Sequence, residues 1–345
     1  MTASKVAIKG FTVEIDEIKA SDGQPIAVTR YGKPGRKKRG VPVVLVHGLG
    51  QNRYTWHCTR LHFPAFLVDK GFDVFVPELR GHGLSRAAGS FPPSGFTEYV
   101  YKDMPAILQW VRKTTGGKKM FFCGHSLGGT IGYSLDPKEH EHLRGMVFFA
   151  APYHFGKGMF LLTCLAKILE TGYSITPIKL IDMLDRRTAF PVDLFGRFLA
   201  LFPELLDTKF NPFPYQGWYP GSIDRDVLEE RLLLGFDKTS TFMMRMMVVW
   251  AAKGRLLDEK GSDIFEKNAV AKDMPLLFLT GDRDCLVPAE SVSEEYDLAI
   301  SNDKTWKVFS ERDNGTHWGH LDMVIGRMAP YEVWPYVSDW MKKRV

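Results

Sequence analysis

Six short runs of uninterrupted apolar residues constrain the fold of this chain more than any other feature. They are VPVVLVHG (41–48), FDVFVPE (72–78), KMFFCGH (119–125), GMVFFAAP (145–152), MPLLFLTGD (274–282) and TWKVFS (305–310). Strict alternation would mark strands with one wet face. Continuous Val, Leu and Phe instead marks strands buried on both faces, as in a parallel sheet covered by helices. Parallel neighbours need crossover connections, and most of the gaps are long enough to hold a helix, for example around YVYKDMPAILQWVRKT at 99–114. Ahead of these runs, FTVEIDEI and QPIAVTRYG alternate on either side of Ser21-Asp22-Gly23. Asp-Gly favours a tight turn, so the chain is expected to open with an antiparallel hairpin. The expected class is α/β, with a mostly parallel central sheet flanked by helices.

One gap is too long for a crossover. About 120 residues separate Pro152 from Met274, and they are dense in Phe, Leu and Met, with helix-like segments GMFLLTCLAKILE, VDLFGRFLALFPELL and STFMMRMMVVWAAKG. A structureless loop of that size does not suit a compact domain. The chain therefore divides into a core made of residues 1–152 and 268–345 and an inserted helical cap or lid at 153–267. There is no internal repeat and no low-complexity tract.

Charge excludes some functions. The 45 Lys and Arg against 40 Asp and Glu leave a net +5, spread along the chain apart from KPGRKKRG at 33–40. That run reads as a solvated loop, because a nucleic-acid site needs a basic face within a recognisable module. No nucleic-acid partner is expected. The N-terminus alternates polar and apolar residues and lacks the form of a secretion signal. MMVVWAA at 246–252 falls short of the roughly 18 apolar residues needed to cross a bilayer. Cys58, Cys123, Cys164 and Cys285 lack metal-ligand spacing and read as free, buried thiols, which suits a reducing, cytoplasmic location.

Gly124-His125-Ser126-Leu127-Gly128 lies between an apolar strand and a glycine-opened apolar helix. The pattern G-x-S-x-G in that context is a sharp strand-to-helix turn that holds a serine hydroxyl clear of the sheet. Alone the pentapeptide is a weak signal; its flanks make it a candidate nucleophile site. A serine hydroxyl needs a base to take its proton and a third group to orient that base. Among ten histidines only His317 and His320 lie beyond the last apolar strands, and His320 is the preferred base, with His317 the alternative. The acid is expected just past the strand before that histidine, where Asp284 is preferred and Asp282 is the alternative. Backbone N–H groups best stabilise an oxyanion. Leu127, just after the serine, and Leu49, in the His47-Gly48-Leu49-Gly50 turn, are the candidates. His47 itself reads as a structural group bonded within its loop.

With those residues in place, the chain resembles the α/β-hydrolase superfamily. VVLVHGLGQN, VPELRGHGLS, FFCGHSLGG, LTGDRDCLVP and WGHLDMVIG resemble its oxyanion, post-strand, nucleophile, acid and histidine segments, in the expected order. GHLDMVIG and the long insertion are similar to the acid lipases and the polyhydroxyalkanoate synthase-like hydrolases. The synthases carry cysteine where this chain has Ser126, which implies hydrolysis. Glu78 departs from the Asp often found before RGHG, at a position that touches the turn. In the family Arg80 and His82 shape a loop, and no metal or organic cofactor is needed.

The resulting expectation is a serine esterase or lipase acting through Ser126, His320 and Asp284, with a small-molecule or lipid-like ester as its substrate. A thioesterase or acyltransferase is the enzymatic alternative. A ligand-binding protein on the hydrolase scaffold is the non-enzymatic one. The apolar insertion serves either an apolar acyl or alcohol pocket or its own core.

Overall fold

In the computed structural model the described residues are 8–35, 40–175, 189–201, 207–208, 216–258, 260–268 and 273–345. The chain opens with β1 (Thr12–Lys19) and β2 (Pro25–Gly32), an antiparallel hairpin closed at Gly23, whose N–H donates to the Ala20 carbonyl at 2.8 Å. Then follow β3 (Pro42–Val46), α1 (Phe63–Asp69), β4 (Asp73–Glu78), α2 (Met104–Thr114), β5 (Met120–His125), α3 (Leu127–Tyr133) and β6 (Leu143–Phe149). The expected apolar runs are strands, with ends shifted by a few residues. Residues 36–39 of the basic run lie outside the described residues.

Between β6 and the next sheet strand come α4 (Phe160–Ile175), β7 (Ala189–Phe190), α5 (Val192–Ala200), α6 (Arg225–Leu234), β8 (Thr239–Ser240) and α7 (Thr241–Lys253). Helix α7 starts where the Ser240 hydroxyl accepts the Met243 N–H at 3.1 Å and stops at Gly254, which is left-handed with φ 68°. The two-residue strands β7 and β8 pair antiparallel, a feature absent from the apolar pattern. Residues 202–206 of the segment VDLFGRFLALFPELL lie outside the described residues. Helix α4 turns Phe160, Leu161, Leu165, Ile168 and Leu169 to solvent.

The chain ends with β9 (Leu276–Gly281), α8 (Ala289–Leu298), β10 (Lys304–Phe309) and α9 (Val333–Lys342). The eight-stranded sheet runs β1-β2-β4-β3-β5-β6-β9-β10. From β4 to β10 every pairing is parallel, and β2 is antiparallel to both its neighbours.

Side chains alternate across a strand, so a run apolar at every position feeds two cores. Val43, Leu45, Phe121 and Cys123 enter the layer that α1 and α9 cover with Phe63, Val68, Trp334 and Val337. Val44, Val46, Met120 and Phe122 enter the opposite layer, met by Met104, Ile107, Leu108 and Val111 of α2 and Ile131 of α3. Each such fully buried side chain contributes about 1.5–3 kcal/mol of burial free energy. Both faces of β3, β4, β5 and β9 therefore stay dry, whereas β10, the edge strand with Lys304 and Lys307 in its run, is buried only at Phe309, so the expectation of burial on both faces fails for TWKVFS. No described helix is long and apolar enough to cross a membrane.

The four cysteines are free, but only Cys58 and Cys123 are buried; Cys164 is half-buried and Cys285 is exposed. The expectation of uniformly buried thiols thus fails at two positions. Cys285 lies on the turn between β9 and α8, with its thiol at the surface.

Candidate active site

Parallel strands end at one edge, and that edge collects the candidate residues. The turn at His47–Gly50 follows β3, Ser126 follows β5, Asp284 follows β9, and His320 lies on the loop after β10.

Ser126 has φ 53° and ψ −126°, an unfavourable conformation for a side-chain-bearing residue. The bend brings backbone within the space of a methyl group. A Cβ on Gly124 would lie 2.4 Å from the Gly129 nitrogen, and one on Gly128 would lie 2.4 Å from the Val46 carbonyl oxygen. Glycine at both flanks lets β5, α3 and the end of β3 close around the serine. The Ser126 carbonyl accepts N–H bonds from Gly129 (2.9 Å) and Thr130 (3.1 Å). The Leu127 N–H is the first of α3 and has no carbonyl one turn back within the helix. The turn bearing Leu49 lies against this bend, since a Cβ on Gly48 would sit 3.1 Å from the Ser126 Cβ.

The two Asp-His candidates form two separate pairs. His320 Nδ1 lies 2.8 Å from Asp284 Oδ2, and both side chains are buried. The other Asp284 oxygen accepts the N–H groups of Leu286 (2.9 Å) and Val287 (2.7 Å). A carboxylate on Nδ1 makes that nitrogen the donor, which leaves the His320 Nε2 lone pair free to take a proton. His317 Nδ1 lies 2.6 Å from Asp282 Oδ2, and its Nε2 lies 3.1 Å from Glu311 Oε2. Both nitrogens of that partly buried ring face carboxylates, so neither points to the serine turn.

His125 ties the serine turn to the histidine loop. Its Nε2 lies 3.2 Å from the His320 carbonyl, and its ring centroid lies 4.6 Å from that of His320. Burial, reinforced by His320, holds His125 well below the usual histidine range, so it is neutral and Nε2–H donates. His47 is held down to about 3 by burial and by His82. Its Nδ1–H donates to the Gly48 carbonyl at 2.9 Å, and its Nε2 accepts the Leu79 N–H at 3.0 Å. His47 thus braces the turn beside Ser126 without a free proton.

Three buried carboxylates hold the loops around the edge. Glu78 accepts the Arg53 guanidinium at 3.1 Å, the Arg53 N–H at 3.1 Å and the Leu84 N–H at 2.9 Å, joining the segment after the Gly48 turn to the one after β4. Arg80 bonds Asp103 at 2.6 Å and Asp22 at 2.8 Å, clamping the hairpin turn to the sheet. Asp322 accepts the Gly319 N–H at 2.6 Å and the Tyr219 N–H at 2.9 Å, so it pins the histidine loop to the insertion. Burial pushes Asp322 up to about 7. Its only signal in the sequence is its place in GHLD, two residues after His320. Among the described residues no group of three or more His, Cys, Asp or Glu side chains is arranged to hold a metal ion.

This edge offers a strained hydroxyl, a buried carboxylate-oriented imidazole and adjoining backbone N–H groups, the parts that acyl transfer requires. Comparison with known proteins agrees with the fold. Lipase member K of Homo sapiens is 24% identical over 372 residues, covering 94% of this chain and 86% of the relative. Lysosomal acid lipase/cholesteryl ester hydrolase of Macaca fascicularis is 23% identical, covering 97% and 88%. Among solved structures, a thermostable carboxyl esterase from Bacillus coagulans superposes with a TM-score of 0.61 at 16% identity, covering 98% of this chain and 99% of that one. A soluble variant of monoglyceride lipase from Saccharomyces cerevisiae also gives 0.61, at 17% identity, covering 99% and 98%. Residues 41–323 match the sequence profile of the alpha/beta hydrolase fold, and on that match the chain belongs to the alpha/beta hydrolase family.

Proposed function

We propose that this protein is a serine-dependent carboxylic ester hydrolase in which Ser126, His320 and Asp284 act as a triad. The observation that carries the reading is the buried Asp284–His320 pair at the same sheet edge as the strained Ser126. In this mechanism His320 Nε2 takes the Ser126 hydroxyl proton while the oxygen attacks the ester carbonyl carbon. Asp284 stabilises the imidazolium through Nδ1. The N–H groups of Leu49 and Leu127 hold the tetrahedral oxyanion, and His320 returns the proton to the leaving alcohol. Water then repeats the cycle and releases the acid from the acyl-enzyme.

Residues 153–267 form a cap over the carboxyl edge, where open α/β sheets place their ligands. The substrate is lipid-like, with an apolar acyl or alcohol group. The apolar content of the insertion, the outward leucines of α4 and the lipase and esterase names of the relatives support this.

The test is hydrolysis of p-nitrophenyl esters from acetate to palmitate by the wild type and by Ser126→Ala. The expected result is turnover that vanishes in the variant, with a preferred chain length that reports pocket depth. Turnover surviving in Ser126→Ala would remove the serine mechanism. Wild-type inactivity on every ester with activity on thioesters would move the substrate class to thioesters.

A further inference from the structure

Arg231 lies in the middle of the sequence LEERLLL on α6 and is fully buried. Among the described residues, none of its Nε, Nη1 and Nη2 atoms has a hydrogen-bond partner. Other buried arginines differ: Arg53 is paired with Glu78 and Arg80 with Asp103. An unpaired buried charge costs several kcal/mol even after relaxation. Burial draws the Arg231 guanidinium down only to about 10, so it remains cationic at neutral pH.

The surroundings offset little of that cost. The guanidinium lies 4.9 Å from the Phe236 ring centroid, a cation–π contact worth about 0.5–2 kcal/mol. It folds back over Gly235 beyond the last turn of α6, where a Cβ would lie 1.8 Å from Nη1. The helix C-terminus favours a cation there by about 0.3–2 kcal/mol. Neither effect supplies the five donors of a guanidinium with acceptors.

Its neighbours on α6 and beyond it meet the turn that packs on Ser126. Phe236 bridges Gln51 in antiparallel fashion, and the Asp237 N–H donates to the Gly50 carbonyl at 2.7 Å. The guanidinium thus sits behind the strip that pairs with the turn packed on Ser126. Its charge also reaches His47 and His125, the residues just before that turn and just before the serine. A group kept charged and without acceptors beside the reacting edge fits an anionic ligand brought by the substrate.

We propose that Arg231 is the counter-ion for an anionic oxygen group on the substrate, so that the esters best used carry a carboxylate or a phosphate in addition to the scissile bond. The assignment of that ligand as a substrate rests on the esterase reading above; the anion site does not.

The test compares kcat/KM for three series of p-nitrophenyl esters of matched length. One ends in a methyl group, one in a free carboxylate and one in a phosphate. They are assayed with the wild type, Arg231→Met and Arg231→Lys. The wild type is expected to prefer one anionic series over the neutral one. Arg231→Met should lower that anionic-to-neutral ratio by about 10- to 100-fold, the value of a charged hydrogen bond, and Arg231→Lys should retain part of it. The preferred series tells carboxylate from phosphate. An unchanged ratio in Arg231→Met in both series, together with a lowered melting temperature, would make Arg231 a packing residue and overturn the proposal.

Binding separates this inference from the esterase reading. Decanoate and decyl phosphate, with decanol as the neutral control, are titrated into Ser126→Ala with and without Arg231→Lys. Anion binding that weakens about tenfold or more on the lysine change supports the site even if no ester is hydrolysed. Equal affinity for decanol and both anions overturns it.

Discussion

His317 and His320 each receive an aspartate from the turn after β9, at 2.6 Å and 2.8 Å. Distance does not separate them; surroundings do. The Asp284–His320 pair is buried, and its carboxylate is held by two further backbone N–H groups. The Asp282–His317 pair is only partly buried, its carboxylate also accepts the Trp318 N–H, and Glu311 occupies the other ring nitrogen. His320→Ala and Asp284→Asn should therefore each lower kcat by about 10⁴-fold, as removal of a triad member does elsewhere. His317→Ala and Asp282→Asn should leave kcat within a few-fold. Their loss of stability should be about 1–3 kcal/mol, because the pair is partly buried and Asp282 also accepts the Trp318 N–H. Steady-state kinetics with circular dichroism of all four variants checks this. The reverse order of effects would transfer the base to His317.

The unit that positions Ser126, the proposed nucleophile, is the bend from β5 into α3, and it tolerates no added atoms. A Gly128→Ala methyl would sit 2.4 Å and 2.6 Å from the Val46 and His47 carbonyl oxygens, both backbone atoms. Relief requires α3 to move away from β3, taking the Leu127 N–H with it. The variant should lose about 1–3 kcal/mol in denaturant unfolding, as overpacked sites do, and most of its ester turnover. Gly172→Ala, on α4 with open space around it, should be neutral or slightly stabilising because alanine suits a helix better. Equal losses in the two variants would show that the cost at Gly128 is not steric. This bend was legible in the sequence because its signals are local: an apolar strand, glycines at fixed offsets and an apolar helix. The inner sheet strands were legible for the same reason, each carrying a short, largely unbroken apolar run such as Pro42–Val46 or Leu276–Gly281. The groups that lock the edge were not. Asp322 acts on Tyr219, 103 residues away, and Asn52 acts on Leu234, 182 residues away. Arg231 is defined by partners it lacks. No window of sequence contains such pairings, and the same blindness hid the β7–β8 ladder.

At the scale of the molecule, the segment between β6 and β9 is joined to the sheet edge at several polar points, the Tyr219 N–H on Asp322 among them, and Asp237 gathers several such contacts in one residue. Its carboxylate lies 2.5 Å from the Arg86 guanidinium and accepts the Gly83 N–H at 2.6 Å, and its own N–H donates to the Gly50 carbonyl at 2.7 Å. The same residue thus links the insertion, the turn after β3 and the segment after β4. Asn52 adds a bond to the Leu234 carbonyl at 2.8 Å. The exposed pairs of Arg60 with Asp224 and Asp226 add little, because solvent-facing ion pairs are worth at most about 1 kcal/mol. Asp237→Ala removes the carboxylate bonds but keeps the backbone one, and should cost about 1–3 kcal/mol for the buried donors left unmet. The loss should be local. Amide hydrogen exchange should quicken at 47–54, 83–86 and 225–240 while β5, β6 and β9 keep their protection, because the sheet core owes its stability to apolar burial on both faces. Ester turnover should fall with that local opening, since the turn carrying Leu49 is one of the segments released. Uniform acceleration across the sheet strands would instead mean that the insertion and the core open as one cooperative unit, and Asp237 would then be a determinant of global stability rather than the hinge point between them.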